Sequence, residues 1–105
     1  MKLFRIKAFC LTLFFSILMM GGPALAADAA AGKIKAATCI ACHGAEGISI
    51  NPMWPNLAGQ QDMYLSKQMK DFRDGKRDDP VMSAMAKPLS DDDIDNLAAY
   101  YSSLK

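Results

Sequence analysis

At 105 residues, with twelve basic and eleven acidic side chains and 51% hydrophobic residues, the chain has room for a single small domain. The basic excess is confined to its first quarter. Without Lys2, Arg5 and Lys7, nine basic residues face eleven acidic ones, a formal charge of −2 that excludes the basic face of a nucleic-acid binder.

Those three cations precede the apolar run Ala8 to Met20. The break Gly21-Gly22-Pro23 and the small residues Ala24-Leu25-Ala26 follow. These are the three parts of a secretory signal, so residues 1–26 are read as a leader cleaved after Ala26 and residues 27–105 as the working domain. The apolar run falls short of the about 20 residues that an uninterrupted membrane span needs. The reading is therefore of an exported chain with no stable membrane insertion after cleavage, and Cys10 is discarded with the leader. A domain of this size buries a limited fraction of its surface and commonly needs a disulfide, a metal or a large cofactor to supplement its core.

Residues 27–38 are mostly Ala, and Asp28 is placed to cap a first helix running toward Cys39. Gly44 to Gly59 holds glycines, prolines, asparagines and Trp54 without sustained periodicity, the mark of a long cofactor-covering loop. From Gln60 to Gly75 helical spacing returns with Leu65, Met69 and Phe72 on one stripe and Gly75 as its stop. Residues 76–89, punctuated by Pro80 and Pro88, read as irregular. Ser90 then caps a last helix to about Ser103, with Asp91, Asp92 and Asp93 opposing its dipole and Ile94, Leu97, Ala98 and Tyr101 as its apolar stripe. No segment alternates as a strand does, so the expected fold is all-α: three main helices with long loops wrapped around something large.

Cys39-Ile40-Ala41-Cys42-His43 has the C-x-x-C-H spacing of c-type haem attachment. Two thiols at this spacing reach the two vinyl groups along one porphyrin edge, and the adjacent imidazole is delivered to the iron. A thioredoxin-like dithiol needs a βαβ setting, a zinc site needs about four ligands, and a structural disulfide across so short a loop contributes little. The reading is one covalent haem c per chain, held by Cys39 and Cys42 and ligated by His43.

His43 is the only histidine, which rules out a second imidazole ligand from the same chain. Methionine is the soft alternative, and residues 27–105 hold Met53, Met63, Met69, Met82 and Met85. Met69 belongs to the second helix's packing stripe, Met63 lies near that helix's start, and Met53 is placed on the wrong side of the ring. Met82 and Met85, on a stretch read as free of helical constraint, are the candidates.

The chain resembles the class I c-type cytochromes, most closely the subgroup of cytochrome c-553 and the halves of the dihaem cytochromes c-four. The likeness rests on Cys39 to Gly44, Trp54-Pro55-Asn56-Leu57-Ala58-Gly59-Gln60, Tyr64-Leu65 with Lys67-Gln68-Met69, Val81-Met82-Ser83-Ala84-Met85, Leu89-Ser90-Asp91, and Leu97-Ala98-Ala99-Tyr100-Tyr101. It implies that Met82 is the distal ligand, with Met85 the alternative, and that Trp54, Pro55 and Leu57 wall the haem pocket. It implies that Gln60 starts the second helix and that Gly32 lets the first helix cross the last one closely at Tyr100. A single pentapeptide makes this chain monohaem, and a homodimer imitating the dihaem relatives stays open. The function implied is one-electron transfer, without enzymatic catalysis, between periplasmic or membrane-bound redox proteins met transiently. The alternative is a haem-bearing subunit of a larger oxidase or dehydrogenase complex. A ligand-binding haem enzyme would need a distal acid–base group, and the chain offers no second histidine. Lys67, Lys70, Arg73, Lys76 and Arg77, interleaved with Asp71, Asp74, Asp78 and Asp79, read as a solvated face rather than a docking patch.

Overall fold

The computed structural model describes residues 26–105, so the leader read in residues 1–26 lies outside the described residues save for Ala26. The described residues are helical, with no strand among them. Helix α1 spans Ala29–Lys35, a 3-10 turn covers Ala36–Thr38, and the short α2 spans Ile40–His43. After a loop come α3, Asp62–Asp74, the short α4, Met82–Ala86, and α5, Asp91–Ser103. The three main helices are those the sequence predicts, and the all-α class holds.

Local chemistry accounts for the ends. The Asp28 carboxylate accepts from the Ala30 and Ala31 amides and starts α1. Gly75 ends α3 at φ 80°, in the left-handed region that favours glycine. Ser90 and Asp93 form a reciprocal capping box at the start of α5, the Ser90 hydroxyl accepting from the Asp93 amide and the Asp93 carboxylate from the Ser90 amide, both at 3.0 Å. Two expectations are corrected. Helix α3 begins at Asp62, with Gln61 as its cap, not at Gln60. The stretch 76–89 is not free of helix: Asp79 supplies a carboxylate ahead of the helix-favouring Met82 to Ala86, and α4 forms between Pro80 and Pro88.

Helix α5 is the spine on which α1 and α3 both pack, while α4 packs on α3. Its stripe is buried as predicted, with Ile94 fully so and Leu97 nearly so. Burying each of these side chains contributes about 1.5–3 kcal/mol. Leu97, Ala98, Tyr100 and Tyr101 join Ala36 and Leu65 in the core, with Cys39, Leu57, Met69, Leu89 and Leu104 packed against them. The α1–α5 crossing depends on Gly32. A Cβ there would lie 2.0 Å from the Asn96 carbonyl oxygen and 2.9 Å from Tyr100 Cβ, so the helices touch backbone to backbone.

The charged side chains of α3 find partners on α3 itself and on α5. Lys67 meets Asp71, Lys70 lies 3.8 Å from Asp95, and Arg73 reaches Asp74 at 2.9 Å and Asp91 at 2.8 Å. Arg77 donates to Gln68 at 2.7 Å and lies over the Phe72 ring. These partners favour the reading of an ordinary solvated face.

Two predictions follow from the crossing and the cap. Gly32→Val is expected to lower the unfolding free energy by about 1–3 kcal/mol or more, measured by denaturant titration, because the colliding atoms are backbone and have no rotamer to escape into. The Ser90 amide, first, and Lys35 hold the Asp93 carboxyl below its ordinary value of 3.8, so the stability it adds is present above that value and lost as pH falls through the lowered one. The melting temperature is expected to hold between about pH 7 and 5 and to fall below about pH 4. Asp93→Asn should start lower and fall less.

Candidate haem site

Cys39 follows the 3-10 turn and α2 carries Cys42 and His43, so the α1–α5 crossing fixes where the pentapeptide stands. Both cysteines are half-buried and unbonded to each other. Apart from the two tyrosines of α5, His43 is the one buried polar or charged side chain among the described residues. Its Nδ1 lies 2.8 Å from the Pro55 carbonyl oxygen. That carbonyl can only accept, so Nδ1 carries the ring hydrogen and donates it, which leaves Nε2 with a free lone pair.

The loop that supplies Pro55 is tied at several points. Gly44 turns the chain out of α2 at φ 87°, where any Cβ would strike the Ile48 carbonyl. The Leu57 and Ala58 amides donate to the Gly47 carbonyl at 2.8 and 3.0 Å, and the Gly59 amide donates to the Tyr101 carbonyl of α5 at 2.9 Å. The Ser49 hydroxyl bridges the Cys42 and Asn51 carbonyls, and its amide donates to Asn56 Oδ1 at 2.8 Å. A loop without secondary structure is thereby held to both α2 and α5.

Met82 opens α4 and is half-buried, while Met85, one turn later, is 41% exposed. The Asp79 carboxylate accepts from the Val81 amide at 2.9 Å and the Met82 amide at 2.8 Å, and the Asp79 amide donates to the Ser83 hydroxyl at 3.0 Å. These two amides, Met82 first, hold the Asp79 carboxyl below the usual carboxylate range. The residues expected at the pocket wall differ in setting: Leu57 packs against the core, whereas Trp54 and Pro55 are exposed. Met53 and Met63 are both 82% exposed, and Met69 packs against the core as its helical spacing predicts.

Pro55 was expected at the pocket for its ring, and Asp79 was not expected there at all. Pro55 matters through its backbone carbonyl, which no side-chain argument reaches. Asp79 was counted among surface charges, although its place three residues before Met82 is capping spacing and offered a signal.

The donor set fits a haem and not a bare ion. Among the described residues no three of His, Cys, Asp and Glu gather to hold a metal. The segments beside His43 and Met82 instead expose Ile48, Ile50, Trp54 and Val81, apolar surface suited to a flat macrocycle. The Tyr101 hydroxyl is buried and without a hydrogen-bond partner; burial, and then the Cys39 sulfur, push it well above the ordinary phenol range.

Asp79→Ala is expected to raise amide hydrogen exchange several-fold at Val81 and Met82, read by NMR, while Asp78→Ala leaves both amides protected.

Residues 29–105 match the family model for cytochrome c. The chain is 51% identical over 81 residues to cytochrome c-554(548) of Halomonas halodenitrificans, covering 74% of this chain and 98% of that protein. It is 54% identical over 80 residues to cytochrome c4 of Pseudomonas aeruginosa, covering 76% of this chain but 40% of the relative. It is 53% identical over 78 residues to a thiosulfate dehydrogenase electron acceptor of Thiomonas intermedia, covering 72% of this chain and 36% of that protein. The crystal structure of reduced cytochrome c4 from Pseudomonas stutzeri superposes with a TM-score of 0.72 at 45% identity, over 76% of this chain and 47% of that one. The chain thus spans nearly the whole of one relative and less than half of the others.

Proposed function

The chain belongs to the cytochrome c family, as a class I member of the cytochrome c4 subgroup, and from that premise we propose an exported one-electron carrier with haem c fixed at Cys39 and Cys42, ligated by His43 and Met82. The family binds haem c covalently, and its electron-transfer role comes with it. Haem c, when bound, supplies an iron that takes up and gives back one electron.

The observation that carries the assignment is the His43–Pro55 hydrogen bond. By fixing the tautomer and the ring plane it presents Nε2 as a donor of set direction. The free Nε2 lone pair is the atom that His43 offers as a ligand. Met82, on a helix start tied by Asp79, offers a thioether that neither gains nor loses a proton. Two ligands held by separate chain segments suit a centre that changes charge without moving atoms. Met82 is preferred over Met85 because its amide is anchored and its side chain is half-buried.

Exposed Met53, on the loop between α2 and α3, leaves apolar surface for brief encounters with exported or membrane-bound redox proteins. The Thiomonas relative named as an electron acceptor of a dehydrogenase supports a donor of that class. The leader read in residues 1–26 supports a periplasmic location.

In the exported protein, N-terminal sequencing is expected to begin at Ala27 and intact mass to show one haem per chain. The haem absorbance should stay with the polypeptide through acid denaturation and be lost from it in the Cys39→Ser/Cys42→Ser protein. Haem extracted from the parent chain by acid would overturn the covalent assignment.

A further inference from the structure

Tyr101 is 3% exposed, and its hydroxyl has no hydrogen-bond partner among the described residues. A phenylalanine would fill nearly the same volume without burying a polar group, so the hydroxyl needs a reason to be there. The ring cannot turn away to find one. A Cβ on Gly47 would lie 3.0 Å from Tyr101 Cδ1, the Tyr100 ring centroid is 5.0 Å away, and the Tyr101 carbonyl is held by the Gly59 amide. Cys39 packs against the same core cluster as Tyr101, and its sulfur is the neighbouring group that acts on the hydroxyl. The other hydroxyl near that sulfur, Thr38 Oγ1 at 3.9 Å, belongs to an exposed residue.

We propose that the Tyr101 hydroxyl donates a hydrogen bond to the Cys39 sulfur in the haem-loaded protein and thereby raises the reduction potential of the site. This rests on the attachment at Cys39 proposed above. A free thiol is itself a weak donor. When its S–H adds across a vinyl group, a C–S bond forms, the hydrogen passes to the neighbouring carbon, and the sulfur keeps only lone pairs. The phenol, which burial holds in its protonated form, then meets a sulfur that can only accept. A donor drawing electron density from a sulfur on the ring edge favours the electron-rich, reduced state. Tyr101 acts through Cys39 and is a positioning residue, not a ligand.

The test is the midpoint potential and melting temperature of the haem-loaded parent, Tyr101→Phe and Tyr100→Phe proteins. Tyr101→Phe is expected to shift the potential downward and lower the melting temperature, while Tyr100→Phe leaves the potential unmoved. An unchanged potential in Tyr101→Phe, or a melting temperature above the parent's, overturns the inference by showing that the hydroxyl stays unpartnered. A parent protein without covalent haem overturns the proposed function, and this inference with it.

Discussion

The hydrogen bond from His43 Nδ1 to the Pro55 carbonyl fixes a side chain of the short helix α2 against the loop that follows it. On one side stands a four-residue helix placed by the α1–α5 crossing, and on the other a loop of glycines and prolines. Breaking it would leave a buried imidazole without a partner, which costs about 1–3 kcal/mol. Breaking it would also free the ring to choose either tautomer. The loop ties at Ser49, Gly47 and Gly59 all serve to keep that carbonyl in place.

The domain's small size gives that bond its weight. The fully buried core is short, dominated by Ile94, Leu97 and residues of small volume such as Ala36, Ala86 and Ala98. Large apolar side chains of the two loops, among them Ile48 and Val81, remain more than half exposed. A chain of this composition gains its missing core from the group it binds, so stability and redox function share one set of contacts. The same economy explains why helix caps such as Ser90, Asp93 and Asp28 are satisfied so completely.

Most of the fold was legible because its signals are local. Asp28, Gly75 and the Ser90–Asp93 pair act within one turn of helix, and the stripe Ile94, Leu97, Ala98, Tyr101 follows from helical period alone. The pentapeptide was legible because its spacing is the chemistry. What stayed hidden depends on distance in space or on backbone atoms: the Pro55 carbonyl beneath His43, the closing of the loop on Tyr101, and the unpartnered hydroxyl of Tyr101. Helix α4 was missed for a different reason. Two prolines suggested disorder of period, yet both lie outside the five helical residues, where they bound a helix without breaking it.

The central claim is that His43 and Met82 together hold the iron, and the far-red absorption of the oxidised protein tests it most directly, since a weak band there reports sulfur bound to iron. The account predicts that the band is present in the parent and in Met85→Ala and absent in Met82→Ala, with haem content equal in all three. A band that survives in Met82→Ala and vanishes in Met85→Ala would contradict it and move the ligand one turn along α4.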